Sequence, residues 1–201
     1  MSDNHSFLVF LATASLVAVT PGPGILYVVA RTLAGGRTKG LASSVGLGVG
    51  GLVHVFAGAV GISALVMASA EAFTILKMAG ALYLVWVGFQ TWREARTVEL
   101  TEVKKTGARR AFRDGIIVEA LNPKTAAFFL AFIPQFVDPT RPVAAQFLAL
   151  GLISVSLNTA TDLVVTYSAA IAHGTLEDRP QTCGAVMCTL GASLLFVRRS
   201  A

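Results

Sequence analysis

Two residues of opposite charge, Lys124 and Asp162, stand inside long apolar runs of the sequence. An ionisable side chain at the centre of a membrane helix costs roughly 3 kcal/mol, and mutual pairing or a wet cavity is the usual compensation. Lys124 is therefore a candidate for holding an anionic group, with Glu119, Asp162 or a bound carboxylate as partner. The alternative for Lys124 is an interfacial position from which its chain snorkels to the headgroups. Asp162 forms a stripe with Ser154, Asn158 and Thr166 at four-residue spacing, which is one face of a helix. A carboxyl there can take up and release a proton, or serve as a plain helix-to-helix hydrogen bond or an interfacial charge.

Lys124 also belongs to one of two proline breaks. The first is Thr20-Pro21-Gly22-Pro23-Gly24, where two prolines remove backbone donors and two glycines loosen the chain. The second is Asn122-Pro123-Lys124, in which Asn122 can cap the helix that restarts and Pro123 suits its first position. In hydrocarbon the carbonyls freed at the first break need partners or water, so it should face protein or a cavity, the plainer alternative being a simple kink. A further stripe, Gly46, Gly50, His54 and Gly58, falls every four residues. Small residues at that spacing let helices approach closely, and His54 is either a packing residue or a proton carrier.

The elements that must carry these residues are membrane helices. Of 201 residues, 54% are hydrophobic and only 13% charged, against roughly 25% charged in soluble domains; the mean hydropathy is +0.69. Such a chain lacks the charged surface to cover a water-soluble fold. The net charge of +5 does not point to nucleic acid, because no basic stripe interleaves with aromatics. Cys183 and Cys188 are five apart in one apolar segment and read as packing residues, not as a disulfide or metal pair.

A crossing needs about 20 apolar residues. Six runs qualify: 7–30, 41–68, 72–92, 115–137, 143–172 and 181–197, the third with Lys77 near its start. The first lacks a positively charged lead and is expected to be retained, not cleaved as a signal. With the N-terminus outside, Arg31, Arg37, Lys39 and the basic residues between Arg93 and Arg113 fall in the cytoplasm, as does Arg179. Lys77, Arg141, Arg198 and Arg199 fall outside. That bias sets an N-out, multi-pass topology.

The hydrophilic stretch 93–113 divides the chain into repeat one, 1–92, and repeat two, 114–201, within a single transporter domain. The expected fold is all-α, with six transmembrane helices arranged as two three-helix repeats. Three crossings per repeat invert the second relative to the first, and a broken helix opening each half is a pointer to a transporter's binding region.

Several of these elements together resemble the LysE-type translocators, the lysine and homoserine/threonine exporter group. They are Pro21-Gly22-Pro23 with Gly24, the glycine-rich second run reaching His54, and Lys77 leading into Gly80-Ala81-Leu82-Tyr83-Leu84, then Gly88. They continue with Phe112 and Gly115, Asn122-Pro123-Lys124, Phe128-Phe129 and Pro134-Gln135-Phe136. The resemblance covers nearly the whole chain in motif order, and the Asn-Pro-Lys followed by Pro-Gln-Phe is its most specific part. It implies a small exporter of the bacterial inner membrane that moves amino acids or related metabolites outward against protons. Glu119 departs from the apolar or neutral residue expected there.

The expectation is a secondary exporter, not an enzyme, with no cofactor, and with protons, the bilayer and a small-molecule substrate as its partners. Its binding or coupling residues are Thr20 to Gly24, His54, Glu119, Asn122, Pro123, Lys124, Asn158 and Asp162. A metal or other inorganic cation is the alternative cargo, with Glu119, Asp162 and His54 as ligands. An intramembrane enzyme has less to commend it, since no nucleophile or zinc motif is present. Glycine stripes serve contacts between chains as well as within one, so a homodimer is among the states they allow.

Overall fold

A computed structural model describes residues 3–69, 71, 74–75, 78 and 107–178. Lys77, Gly80 and Gly88, nearly all of the run 72–92, the linker up to 106, and the run 181–197 with its two cysteines lie outside the described residues. Among the described residues every regular element is helical.

Helix α1 spans Asp3–Val19. It stops because Pro21 and Pro23 carry no N–H to continue its ladder; Thr20 closes the last turn instead, its N–H reaching Leu16 O (3.2 Å) and Val17 O (3.3 Å). Helix α2, Pro23–Ala68, starts on the second proline and is interrupted at Gly36, whose φ of 72° and ψ of 179° belong to a region that essentially only glycine enters. The interruption reverses the chain. An added Cβ at Gly24 would lie 3.6 Å from Leu47 Cδ1, and one at Gly40 would strike Thr32 Oγ1. A straight helix would hold Gly24 and Leu47 about 35 Å apart. The arms 23–35 and 37–68 are therefore antiparallel neighbours.

The second part repeats this order. Helix α3, Ala108–Ala120, ends at a break, and helix α4, Pro123–Ala127, starts on a proline. It runs on as a π-helix, Phe128–Phe132, and a 3₁₀ turn, Ile133–Phe136; the bend between α3 and this stretch is 42°. A turn follows in which Asp138 accepts from the Thr140 hydroxyl (2.6 Å) and amide (2.9 Å). Those bonds hold its carboxyl below the usual carboxylate range. Helix α5, Val143–Asp178, completes the set. Both described portions thus read helix, break, proline-opened helix, turn, long helix.

By length and apolarity two stretches among the described residues qualify to cross a membrane, Pro23–Ala64, which folds back at Gly36 and so crosses by its long arm, and Val143–Ile171, with a third if α3 and its bent continuation count as one span. Val60 is 72% exposed and Ile171 75%. Side chains of that kind facing outward fit lipid as the surrounding solvent.

Glycines set the spacing of the long arm 37–68. A Cβ at Gly46 would strike Phe112 O, and one at Gly50 would lie 2.6 Å from Ile116 O, so α3 lies backbone to backbone against this arm. Gly48, Gly51 and Gly58 face Thr159, Val155 and Phe147 of α5 instead. Ser44 Oγ reaches Thr166 Oγ1 (2.9 Å) and the carbonyl of Asp162 (3.2 Å), tying the arm to α5. An aromatic core joins α1 to the bent stretch, with Phe10 against Phe132 and Phe136 and Phe129 against Phe147.

Candidate functional site

The proline positions dictate which backbone carbonyls need help. In an α-helix the carbonyl of residue i accepts from the N–H of residue i+4. Pro21 therefore cannot serve Val17, and Pro123 cannot serve Glu119. Each of these carbonyls has a side-chain donor from another element. Lys124 Nζ donates to Val17 O at 2.7 Å and to Thr20 O at 2.6 Å. His54 Nε2 lies 2.9 Å from Glu119 O. A carbonyl only accepts, so this contact makes Nε2 the protonated ring nitrogen. The Lys124 charge also lies at the C-terminal end of α1, where the helix dipole favours a cation.

The second break is locked by short-range bonds. Asn122 is buried and caps α4, its Oδ1 accepting from Lys124 N (3.1 Å) while its Nδ2 donates to Glu119 Oε2 (2.9 Å). Thr125 Oγ1 donates to Glu119 Oε1 at 2.6 Å. Both carboxylate oxygens of Glu119 are thereby occupied. Lys124 reaches backbone carbonyls and neither acid; among the described residues the ion pairs are Arg31 with Asp114 (2.8 Å) and Arg110 with Asp114 (3.8 Å).

The glycines of the first break make room for these side chains. A Cβ at Gly22 would lie 3.0 Å from Lys124 Cδ, and one at Gly24 would lie 3.1 Å from Glu119 Oε2. Between the breaks and α5 opens a cleft of about 460 Å³, its mouth included. Its walls include Gly22, Gly24, Glu119, Asn122, Lys124, Asn158 and Asp162. Thr20, Pro21, Pro23 and Pro123 shape the breaks without lining it, and His54 stands behind Glu119. A smaller space of about 250 Å³ beyond Glu119, Asn158 and Asp162 runs toward Gly48, Gly51 and Thr159.

Asp162 is 7% exposed, lines both spaces and lies within electrostatic reach of Lys124 and Glu119. Its carboxyl accepts no hydrogen bond from the described residues, whereas Asn158 spends its Nδ2 on Ser154 O (2.9 Å). Farther along, Tyr27 OH donates to Ala111 O (2.9 Å), and the Arg37 guanidinium sits over Tyr167 at 4.3 Å and donates to its hydroxyl (2.9 Å).

Sequence reasoning brought the two breaks and the Asp162 stripe into view but did not identify Thr125, Ser44 or the carbonyls of Val17 and Thr20. The Val17 carbonyl had a readable signal, the proline four residues on; Thr20 did not, since Gly24 stands four residues after it. Thr125 had only its place beside Lys124. Among the described residues no three of His, Cys, Asp or Glu come together as a metal site.

Comparison with known proteins adds three kinds of finding. The family model described as LysE type translocator matches residues 15–198. The chain is 36% identical over 171 residues to the homoserine/homoserine lactone efflux protein of Salmonella typhimurium, covering 85% of this chain and 79% of that one. It is 27% identical over 156 residues to the leucine efflux protein of Klebsiella pneumoniae, covering 75% and 74%. An uncharacterized membrane protein of Vibrio cholerae shares 37% over 157 residues, 78% and 77% of the two chains. No solved structure matches.

Proposed function

The chain belongs to the LysE type translocator family, and on that premise we propose that it exports amino acids or related small metabolites across the bacterial cytoplasmic membrane. One observation carries the reading. The two proline breaks meet, joined by Lys124 on the carbonyls of Val17 and Thr20, at a cleft into which the buried Asp162 faces. Broken helices that meet at mid-span are how secondary transporters build a binding site from backbone groups. The relatives named for efflux of homoserine, its lactone and leucine support an amino-acid cargo.

The architecture in this proposal is six helices in two inverted three-helix repeats, with the N-terminus outside. The repeated order of helix, break, proline-opened helix, turn and long helix supports it. Alternating access then comes from one repeat rocking against the other about the two breaks. Export runs against protons, with Asp162 as the coupling carboxyl and His54 second. His54 is the weaker candidate because its Nε2 is committed to Glu119 O. The protein is a carrier and performs no covalent chemistry. A metal cargo finds less support, since Glu119 is engaged by Asn122 and Thr125.

The test is a growth screen. A strain overproducing the chain should withstand a subset of toxic amino-acid analogues while its tolerance of metal salts stays unchanged. Unaltered sensitivity to every analogue, together with changed metal tolerance, would overturn the proposal in favour of the cation cargo.

A further inference from the structure

The charges in the cleft are not equally available. Lys124 is held by two carbonyls at 2.6 and 2.7 Å. Glu119 has a donor on each carboxylate oxygen. Asp162 is different: it is 7% exposed, lines both spaces, and accepts no hydrogen bond from the described residues. Asn158, one turn earlier on α5, has its amide N–H engaged with Ser154 O, which leaves its Oδ1 as an acceptor. With two acids and one lysine, the walls carry a formal excess of negative charge. Lys124 keeps one of its three N–H and Asn158 one of its two, so Asp162 is the one charge of the cleft without any hydrogen-bond partner among the described residues, and a buried carboxylate needs a cationic donor.

From this geometry we infer that the cleft recognises its substrate chiefly by the primary ammonium, which binds Asp162 with Asn158 beside it, and that the substrate's carboxyl, facing a lysine already held by two carbonyls, contributes less to recognition. The inference rests on the exporter reading and narrows it to a chemical class: small primary amines of the amino-acid type, with the carboxyl free, lactonised or amidated. Proton and ammonium would occupy the same carboxylate at different stages of the cycle.

The experiment is a binding panel on the purified full chain in detergent, read by thermal shift and by isothermal titration. The probes are the common amino acids, homoserine and homoserine lactone, with the amide and N-acetyl derivative of each compound that binds. Loss of a charge-assisted hydrogen bond predicts that N-acetylation weakens binding at least roughly tenfold, while lactonisation or amidation changes it by less than about threefold. In Asp162→Asn the free amine should lose its advantage over the N-acetyl form, and Asp162→Glu should retain it. Binding that survives N-acetylation but falls roughly tenfold when the carboxyl is blocked overturns the inference and leaves the exporter reading intact. A panel in which no amino compound binds overturns both. The derivative comparison uses the unaltered chain, so a poorly folded Asp162 variant does not spoil the test.

Discussion

Lys124 donates to the carbonyl of Val17, which Pro21 deprives of its i+4 donor and which Thr20 N reaches only at 3.3 Å. The lysine that looks like a free intramembrane charge in the sequence is thus a cap on the first broken helix, supplied from the second. Glu119 and His54 repeat the device: Pro123 withdraws a donor from Glu119 O, and His54 replaces it. The prolines and the two basic side chains form one design, in which each break is completed by another part of the molecule.

Removing the cap should cost stability that restoring the backbone donor recovers. Lys124→Ala leaves the Val17 carbonyl with only the long contact from Thr20 N (3.3 Å), at about 0.5–1.5 kcal/mol for the hydrogen bond lost. Pro21→Ala returns an N–H to the same position. The double variant should therefore be less destabilised than the sum of the singles, by about 1 kcal/mol in a double-mutant cycle. Thermal unfolding in detergent measures it, and strictly additive effects would count against the cap.

His54 should tolerate replacement by a residue that keeps a donor. His54→Gln retains an N–H for Glu119 O, whereas His54→Ala leaves that carbonyl with the Asn122 N–H alone (3.0 Å) and should lose about 0.5–1.5 kcal/mol. If His54 acts as a cap, transport by His54→Gln keeps the pH profile of the unaltered protein. A shifted profile with unchanged stability would make it the proton carrier instead.

The glycine positions separate packing from open space. Gly46→Ala drives a methyl into the backbone of Phe112 on α3 and should destabilise by about 1–3 kcal/mol, because backbone cannot swing aside. Gly61→Ala meets nothing within 4 Å and should be neutral or slightly stabilising through helix propensity. Gly24→Ala presses on the Glu119 carboxylate at 3.1 Å and should impair transport more than stability. Unfolding midpoints and initial transport rates of the three variants provide the comparison.

The sequence made the helical class, the two breaks and the four-residue stripe of Asp162 legible, because proline chemistry and helical period act locally. Glycine spacing likewise foretold close helix contact at Gly46 and Gly50. It could not say that the Gly46 side of the arm meets α3 while Gly48 and Gly51 meet α5, since that depends on how the arm rotates between two neighbours. The reversal at Gly36 was equally hidden: Gly35-Gly36 lies between two apolar runs, and only the contacts of Thr32 with Gly40 and Gly24 with Leu47 show how tightly the chain folds back. The partner of Lys124 was sought among acids because charge suggests charge. A carbonyl freed by a proline was the more economical answer.

If substrate and proton pass through the cleft where the two breaks meet, uptake into inside-out vesicles will depend on its residues. The unaltered chain should accumulate at least one compound from an amino-acid panel in a manner that depends on the pH gradient and collapses with an uncoupler. The Asp162→Asn, Lys124→Ala double variant, confirmed as folded by size-exclusion chromatography, should accumulate none. Absence of gradient-dependent accumulation across the whole panel, or full activity in the double variant, would mean that the cleft is not the route of coupled export.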